Sequence, residues 1–246
     1  MGLLIATVTR ETRNLLAKRS IRILFGLSVL LSVGAAYLLV RMQDMIGMGD
    51  VSGMAFPLLT LGVLTTVFLP LLLVASVSDS FAMQTGSANP KSTALARFKR
   101  FASRLLAVAC LIVLQLALVW ASSSVVGLLF MSDLPPEGLA SGLVAYGAAF
   151  FPLLALGFAS ALIARQFRSR AAAAIVSASV YVVAKTVTVA FPHSASFTVF
   201  AYEDWHVLWM GSSVSFNQMT NVFMFILLCS IVAYTAGLYS FEKREV

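Results

Sequence analysis

The chain has 246 residues, 60% of them hydrophobic and only 11% charged, with a formal net charge of +7 and a mean hydropathy of +0.93. Soluble globular domains are about 45–50% apolar and about 25% charged, so this composition excludes an ordinary soluble fold. Several apolar runs approach the ~20 residues needed to cross a bilayer, which makes the chain an integral membrane protein, and its surplus of bases is read as loop orientation rather than nucleic-acid binding.

The first element is expected over residues 3–20, which contain no Pro. On a helical wheel Leu4, Ile5, Val8, Thr12, Leu15 and Leu16 share one side, and Arg10, Arg13, Asn14 and Lys18 occupy the rest. Such a helix lies in the membrane interface with its bases toward anionic headgroups, so residues 1–22 are assigned as an interfacial helix. The first apolar run, Ile23–Val40, starts too late for a cleavable signal peptide and lacks a small-residue cleavage pattern; it is expected to be a retained span.

The second span is expected at Phe56–Val77 and carries Pro70, which predicts a kink. A basic stretch over residues 78–104 follows. "TGSANP" is turn material, Ser92 or Thr93 can cap a helix, and from there Leu95, Phe98, Phe101, Ala102 and Leu105 share one side while Arg97, Arg100 and Arg104 share the other. Orientation alone needs no such organisation, so beside a plain solvated face the stretch reads as a docking element for a cytoplasmic partner.

The third span is expected at Phe101–Phe130 and the fourth at Leu139–Ala164, where Pro152 predicts a second local kink. A short connection, "RQFRSR" (Arg165–Arg170), makes the fourth and fifth spans neighbours. The fifth, Ala171–Phe191, carries Lys185 in its middle; a charge there is costly and marks a functional or a paired site. Residues 192–220 are aromatic and free of bases, and read as one or two short interfacial or re-entrant helices on the outer side. His193 and His206 flank Glu203 and Asp204 there, without a known metal-ligand spacing. The sixth span is expected at Asn221–Ser240.

Charge sets the topology. Fifteen of the seventeen bases fall in the N-terminal segment, the connections after the second and fourth spans, and the tail; the opposite loops hold Arg41 with Asp44, Asp50, Asp133, Glu137, Glu203 and Asp204. Both termini are therefore expected in the cytoplasm. The two cysteines, Cys110 and Cys229, lie in apolar runs and read as small core residues. The fold class expected is all-α: a single polytopic domain over residues 1–246 with six transmembrane helices, an N-terminal interfacial helix and a re-entrant segment before the last helix.

No Walker motif, dinucleotide loop or HExxH is present, and no span carries a carboxylate. Ion-driven carriers place acids at mid-membrane, so a transporter of this kind would take its energy from another polypeptide. Gly211-Ser212-Ser213 sits in an external loop, unlike an intramembrane protease nucleophile. Two other readings stand beside transport: a stand-alone membrane enzyme using the His193–His206 region, and a non-catalytic assembly or immunity protein.

The layout resembles the membrane subunit of type-2 ABC transporters, the bacterial exporter permeases. Locally, Asp79-Ser80-Phe81-Ala82 is similar to the family's exit from its second span. The run from Arg97 to Ala107 resembles its Arg, six residues, then Lys-Leu-Leu-Ala, with Arg104 in place of the Lys. The tail Tyr239–Glu245 resembles its aromatic-x-basic-basic-acid ending. The resemblance implies a subunit in the bacterial inner membrane that binds no cofactor itself, with ATP and Mg held by separate cytoplasmic ATPase subunits. It also implies a homodimer or a second permease as partner, export of an amphipathic peptide, lipid or drug-like substrate, and no nucleic acid. Asp79, Arg97, Lys99, Arg100, Arg104 and Arg168 are then the candidates for coupling to the ATPase, and Lys185 the intramembrane charge candidate.

Overall fold

A computed structural model describes residues 2–46, 56–81, 94–130, 136–167, 169–191, 198–208 and 215–244. Among them there is no strand. The helices are α1 (Gly2–Ala17), α2 (Arg19–Ile46), α3 (Phe56–Val63), α4 (Leu69–Phe81), α5 (Ala94–Phe130), α6 (Pro136–Ala164), α7 (Arg170–Ala190), α8 (Trp205–Leu208) and α9 (Phe216–Arg244). A π-helical turn, Leu64–Phe68, joins α3 to α4, and a 3-10 turn, Val199–Tyr202, precedes α8.

Among the described residues, five stretches are long and apolar enough to cross a membrane: Thr60–Phe81, Phe101–Leu129, Leu139–Ala164, Arg170–Ala190 and Phe216–Ser240. They follow the expected second to sixth spans, and Ile23–Val40 lies within the continuous α2. The second ends one turn later than expected. Ser76 and Ser80 return their hydroxyls to the carbonyls of Leu72 and Ser76, at 2.9 and 2.8 Å, so the helix tolerates its serines and continues through Asp79. Residues 78–81 thus belong to α4 and residues 94–104 to α5; the connection between them, with Ser92 and Thr93, lies outside the described residues.

The core is built from α3–α4, α5 and α6, with Leu61, Leu73, Val77, Phe101, Val108, Ile112 and Leu156 among its buried residues. α9 packs chiefly on α6, while α2 and α1 pack on α5. Leu15 of α1 and Ile21 of α2 are buried together against Ala107 and Leu111. The apolar side of α1 therefore meets the bundle at its second half, and Ile5 near its start is exposed.

Phe101, 2% exposed, is wedged between Phe81 and Tyr234 at centroid distances of 6.1 and 5.7 Å. α9 comes so close here that a β-carbon on Gly237 would stand 2.9 Å from Phe101 Cζ. Phe98, on the same side of the helix one turn earlier, is exposed. Cys110 is a free, exposed residue on α5 and Cys229 a half-buried one on α9, so neither is the core residue expected.

Hydroxyl groups line the α2–α5–α6 seam. Ser122 Oγ lies 2.9 Å from Ser32 Oγ and 3.0 Å from the Val119 carbonyl of its own helix. Ser123 Oγ lies 3.3 Å from the Tyr146 hydroxyl and 3.0 Å from its own Trp120 carbonyl. Outward, α2, α5, α7 and α9 expose Leu30, Leu129, Val189 and Ile231 among many large apolar side chains. An apolar surface this extensive suits lipid rather than water.

Candidate functional site

Two ion-paired clusters stand out, about 22 Å apart along α7 at 1.5 Å per residue between Arg170 and Lys185.

The first is at the basic end. α1 breaks at Lys18, whose main-chain N–H still donates to Leu15 at 3.0 Å. Its ammonium lies 2.9 Å from Asp79 Oδ2 and donates to the Asp79 main-chain carbonyl at 3.2 Å. That carbonyl is in the last turn of α4, where helix carbonyls lack intrahelical donors and a cation is favoured. Arg170, the first residue of α7, donates to Asp79 Oδ1 at 2.9 Å. α7 starts here because Ser169 accepts from the Ala172 N–H as an N-cap, at 3.5 Å. One carboxylate thus ties α1, α4 and α7 together.

Beside it a pocket of about 360 Å³ is lined by Glu11, Asn14, Lys18, Asp79, Arg104 and Arg170. Of the sequence candidates, Asp79 and Arg104 meet in this pocket, and Lys99 is exposed on the early turns of α5. Arg97 and Arg100 lie on the same turns, with their side chains outside the described residues, as is Arg168. Lys18, which the sequence places on the headgroup side of the interfacial helix, and Arg170, which it reads as a loop-orienting base, are the partners of Asp79.

The second cluster contains Lys185. Its ammonium donates to Glu203 Oε2 at 2.7 Å. Glu203, 6% exposed, follows the 3-10 turn, and Trp205 holds that segment down. The Trp205 indole stacks on Phe223 of α9 (6.0 Å, 24°) and meets Phe151 of α6 edge-on (6.0 Å, 81°). The Tyr181 hydroxyl, one turn before Lys185, lies 3.1 Å from the same Oε2 and 2.6 Å from the Thr66 carbonyl.

The α-helical partner of the Thr66 carbonyl would be the N–H of Pro70, which does not exist, and the helix widens there into the π turn, where the Leu69 N–H reaches the Leu64 carbonyl instead. The kink expected from Pro70 therefore takes the form of a π turn, and the Tyr181 hydroxyl of α7 donates to the Thr66 carbonyl within it. α6 runs unbroken through Pro152.

Burial pushes the Glu203 carboxyl up to about 7; the Lys185 and Tyr181 contacts pull it down without cancelling that, and Asp204 adds to the rise. Burial also lowers the His206 imidazole, against the pull of Asp204. His206 is fully buried, with Nδ1 3.3 Å from the Glu203 carbonyl. Its sequence companion His193, together with Gly211-Ser212-Ser213, lies outside the described residues. The sequence isolated Lys185 but not Glu203. The signal was available: a Lys deep in an apolar helix requires a counter-charge, and the acids nearest in sequence are Glu203 and Asp204.

No protein-family model matches the chain, and a comparison with curated proteins finds no match.

Proposed function

We propose that the chain is the membrane-spanning permease subunit of an ATP-driven ABC exporter, energised by separate cytoplasmic ATPase subunits that carry ATP and Mg. It works as a homodimer or with a second permease, in the inner membrane of a bacterium. In this reading α2 is a sixth span, both termini are cytoplasmic, α1 lies in the interface, and the 198–208 segment belongs to a re-entrant excursion before α9. The substrate is an amphipathic peptide, lipid or drug-like molecule.

The observation that carries the reading is the Asp79 tie. Asp79 sits two residues before the end of α4, and Lys18 and Arg170 bind it from α1 and α7. The basic residues from Arg97 to Arg104 open α5 on the far side of the same connection. A motor seated on that connection would pull on α4 and α5 directly, and on α1 and α7 through one carboxylate. An energy source outside the chain also fits apolar spans in which Asp79 is the one acid among the described residues, placed in the last turn of α4 and already paired to Lys18 and Arg170.

The test is reconstitution. The chain is expected to co-purify with an ATPase and to move substrate into vesicles only with nucleotide. Arg97→Glu with Arg100→Glu is expected to abolish substrate-stimulated ATP hydrolysis while insertion persists. Transport by the chain alone, without nucleotide, would overturn the reading, and so would a reporter placed after Gly86 that proves extracytoplasmic.

A further inference from the structure

Glu203 uses its two oxygens unequally. Oε2 receives Lys185 and faces Tyr181, whereas Oε1 is buried with no hydrogen-bond partner. An ionised carboxylate has about four acceptor positions, and leaving half of them empty in a buried site is unfavourable. The neutral acid fits the same surroundings better. A proton on Oε2 would be donated to the Tyr181 oxygen, while Tyr181 keeps its own proton on the Thr66 carbonyl. Each donor then has one acceptor, in a chain from the 198–208 segment through α7 to the π turn. Lys185, left without its counter-ion, is five residues from the end of α7, about 8 Å along the axis, and long enough to turn its head toward that end.

The groups that act on Glu203 are few. α7 brings Tyr181 and Lys185, and its own segment brings Asp204; His206 lies against the Glu203 main-chain carbonyl rather than its carboxyl. Among the described residues, α6 and α9 pack on the same turn and bring no charge that acts on it.

We propose that Glu203 is a reversible proton-binding site that sets how tightly the 198–208 segment is held on the bundle. Protonated, the segment is sealed through Tyr181; ionised, it is held against the cost of a buried charge by Lys185. The chemistry is one solvent proton added to a carboxylate, with no other bond made or broken. The direction follows from linkage: burial favours the neutral acid, so protonation favours burial by the same amount. Release of the segment therefore belongs to the alkaline side. The rise of the carboxyl to about 7 places the change near neutrality.

The test uses the full chain in lipid nanodiscs and needs no ATPase, so its outcome is independent of the exporter reading. Infrared spectra titrated from about pH 5 to about pH 9 are expected to lose a buried carboxylic-acid carbonyl band, with a midpoint near neutrality rather than in the usual carboxylate range. Glu203→Gln removes the band. Lys185→Met removes a cation that favours ionisation, so the midpoint moves up. His206→Gln leaves the band and its midpoint in place. With Trp120→Phe and Trp209→Phe leaving Trp205 as the only tryptophan, acrylamide quenching is expected to rise above the midpoint and to stay low at every pH when Glu203→Gln is added. A midpoint in the ordinary carboxylate range, a band that survives Glu203→Gln, a midpoint that does not rise in Lys185→Met, or quenching that keeps its pH dependence in Glu203→Gln would each overturn the proposal.

Discussion

The hydroxyl of Tyr181 donates to the main-chain carbonyl of Thr66 at 2.6 Å, across the gap that Pro70 opens in the helix ladder. Removing one partner from a buried hydrogen bond costs about 1–3 kcal/mol. Tyr181→Phe is therefore expected to lower unfolding stability in detergent by that amount. Pro70→Ala restores an N–H four residues after Thr66, so in its presence the penalty of Tyr181→Phe is expected to shrink. Equal penalties in both backgrounds would show that the hydroxyl does not serve the Thr66 carbonyl.

Asp79 is shared by two bases, so its loss should cost more than the loss of either. Lys18 and Arg170 are 32% and 45% exposed, and solvent screens such pairs to about 1 kcal/mol or less each. Asp79→Asn is expected to destabilise by about 1 kcal/mol, with Lys18→Met and Arg170→Met each smaller and nearly silent once Asp79 is gone. Denaturation of the single and double variants checks this, and full additivity would refute a shared carboxylate.

Gly237 is a packing requirement rather than a hinge. A β-carbon there meets Phe101 at 2.9 Å, and Phe81 and Tyr234 hold that ring from two sides. Gly237→Ala is expected to destabilise by about 1–3 kcal/mol through overpacking. Combining it with Phe101→Leu, which takes away the facing ring edge, is expected to recover part of that loss in a thermal melt. No recovery would place the strain elsewhere.

Stability against pH should show two opposed contributions. The Glu203 carboxyl is raised from 4.5 to about 7, so its stabilising effect is complete below 4.5 and is lost as the pH climbs to about 7. The His206 imidazole is lowered from 6.5, so its effect is complete above 6.5 and is lost on acidification. Glu203→Gln is expected to leave a protein that only weakens toward acid. His206→Gln is expected to leave one that weakens from 4.5 toward about 7. Melting temperatures across that range, compared with the parent, measure the two slopes; a parent-like slope in Glu203→Gln would remove its assigned role.

The helices were legible because apolar runs of span length admit few alternatives, and the ends of α5, α6 and α7 follow their charges and turn residues closely. The end of α4 was not, since Ser76 and Ser80 look like loop residues until their hydroxyls are seen to return to the helix carbonyls. The clusters were half legible. Asp79 and Lys185 stand out as charges beside or within apolar runs, but their partners come from elements 61, 91 and 18 residues away, and side-chain pairing at such separations has no local pattern. Phe98 shares the side of Phe101 but is exposed, because a wheel gives the direction of a side chain and not where the neighbouring helices end.

The serine seam bears on how the bundle can move. Ser122 and Ser123 each reach across to another helix while also lying within bonding distance of a carbonyl in their own. Parting α2 from α5, or α5 from α6, therefore strands neither hydroxyl, because each has a second acceptor at home. On the α2 side the buried Ser32 hydroxyl donates to the Val119 carbonyl of α5 at 3.4 Å, so sliding α2 would strand it, whereas the α5–α6 contact can slip at smaller enthalpic expense.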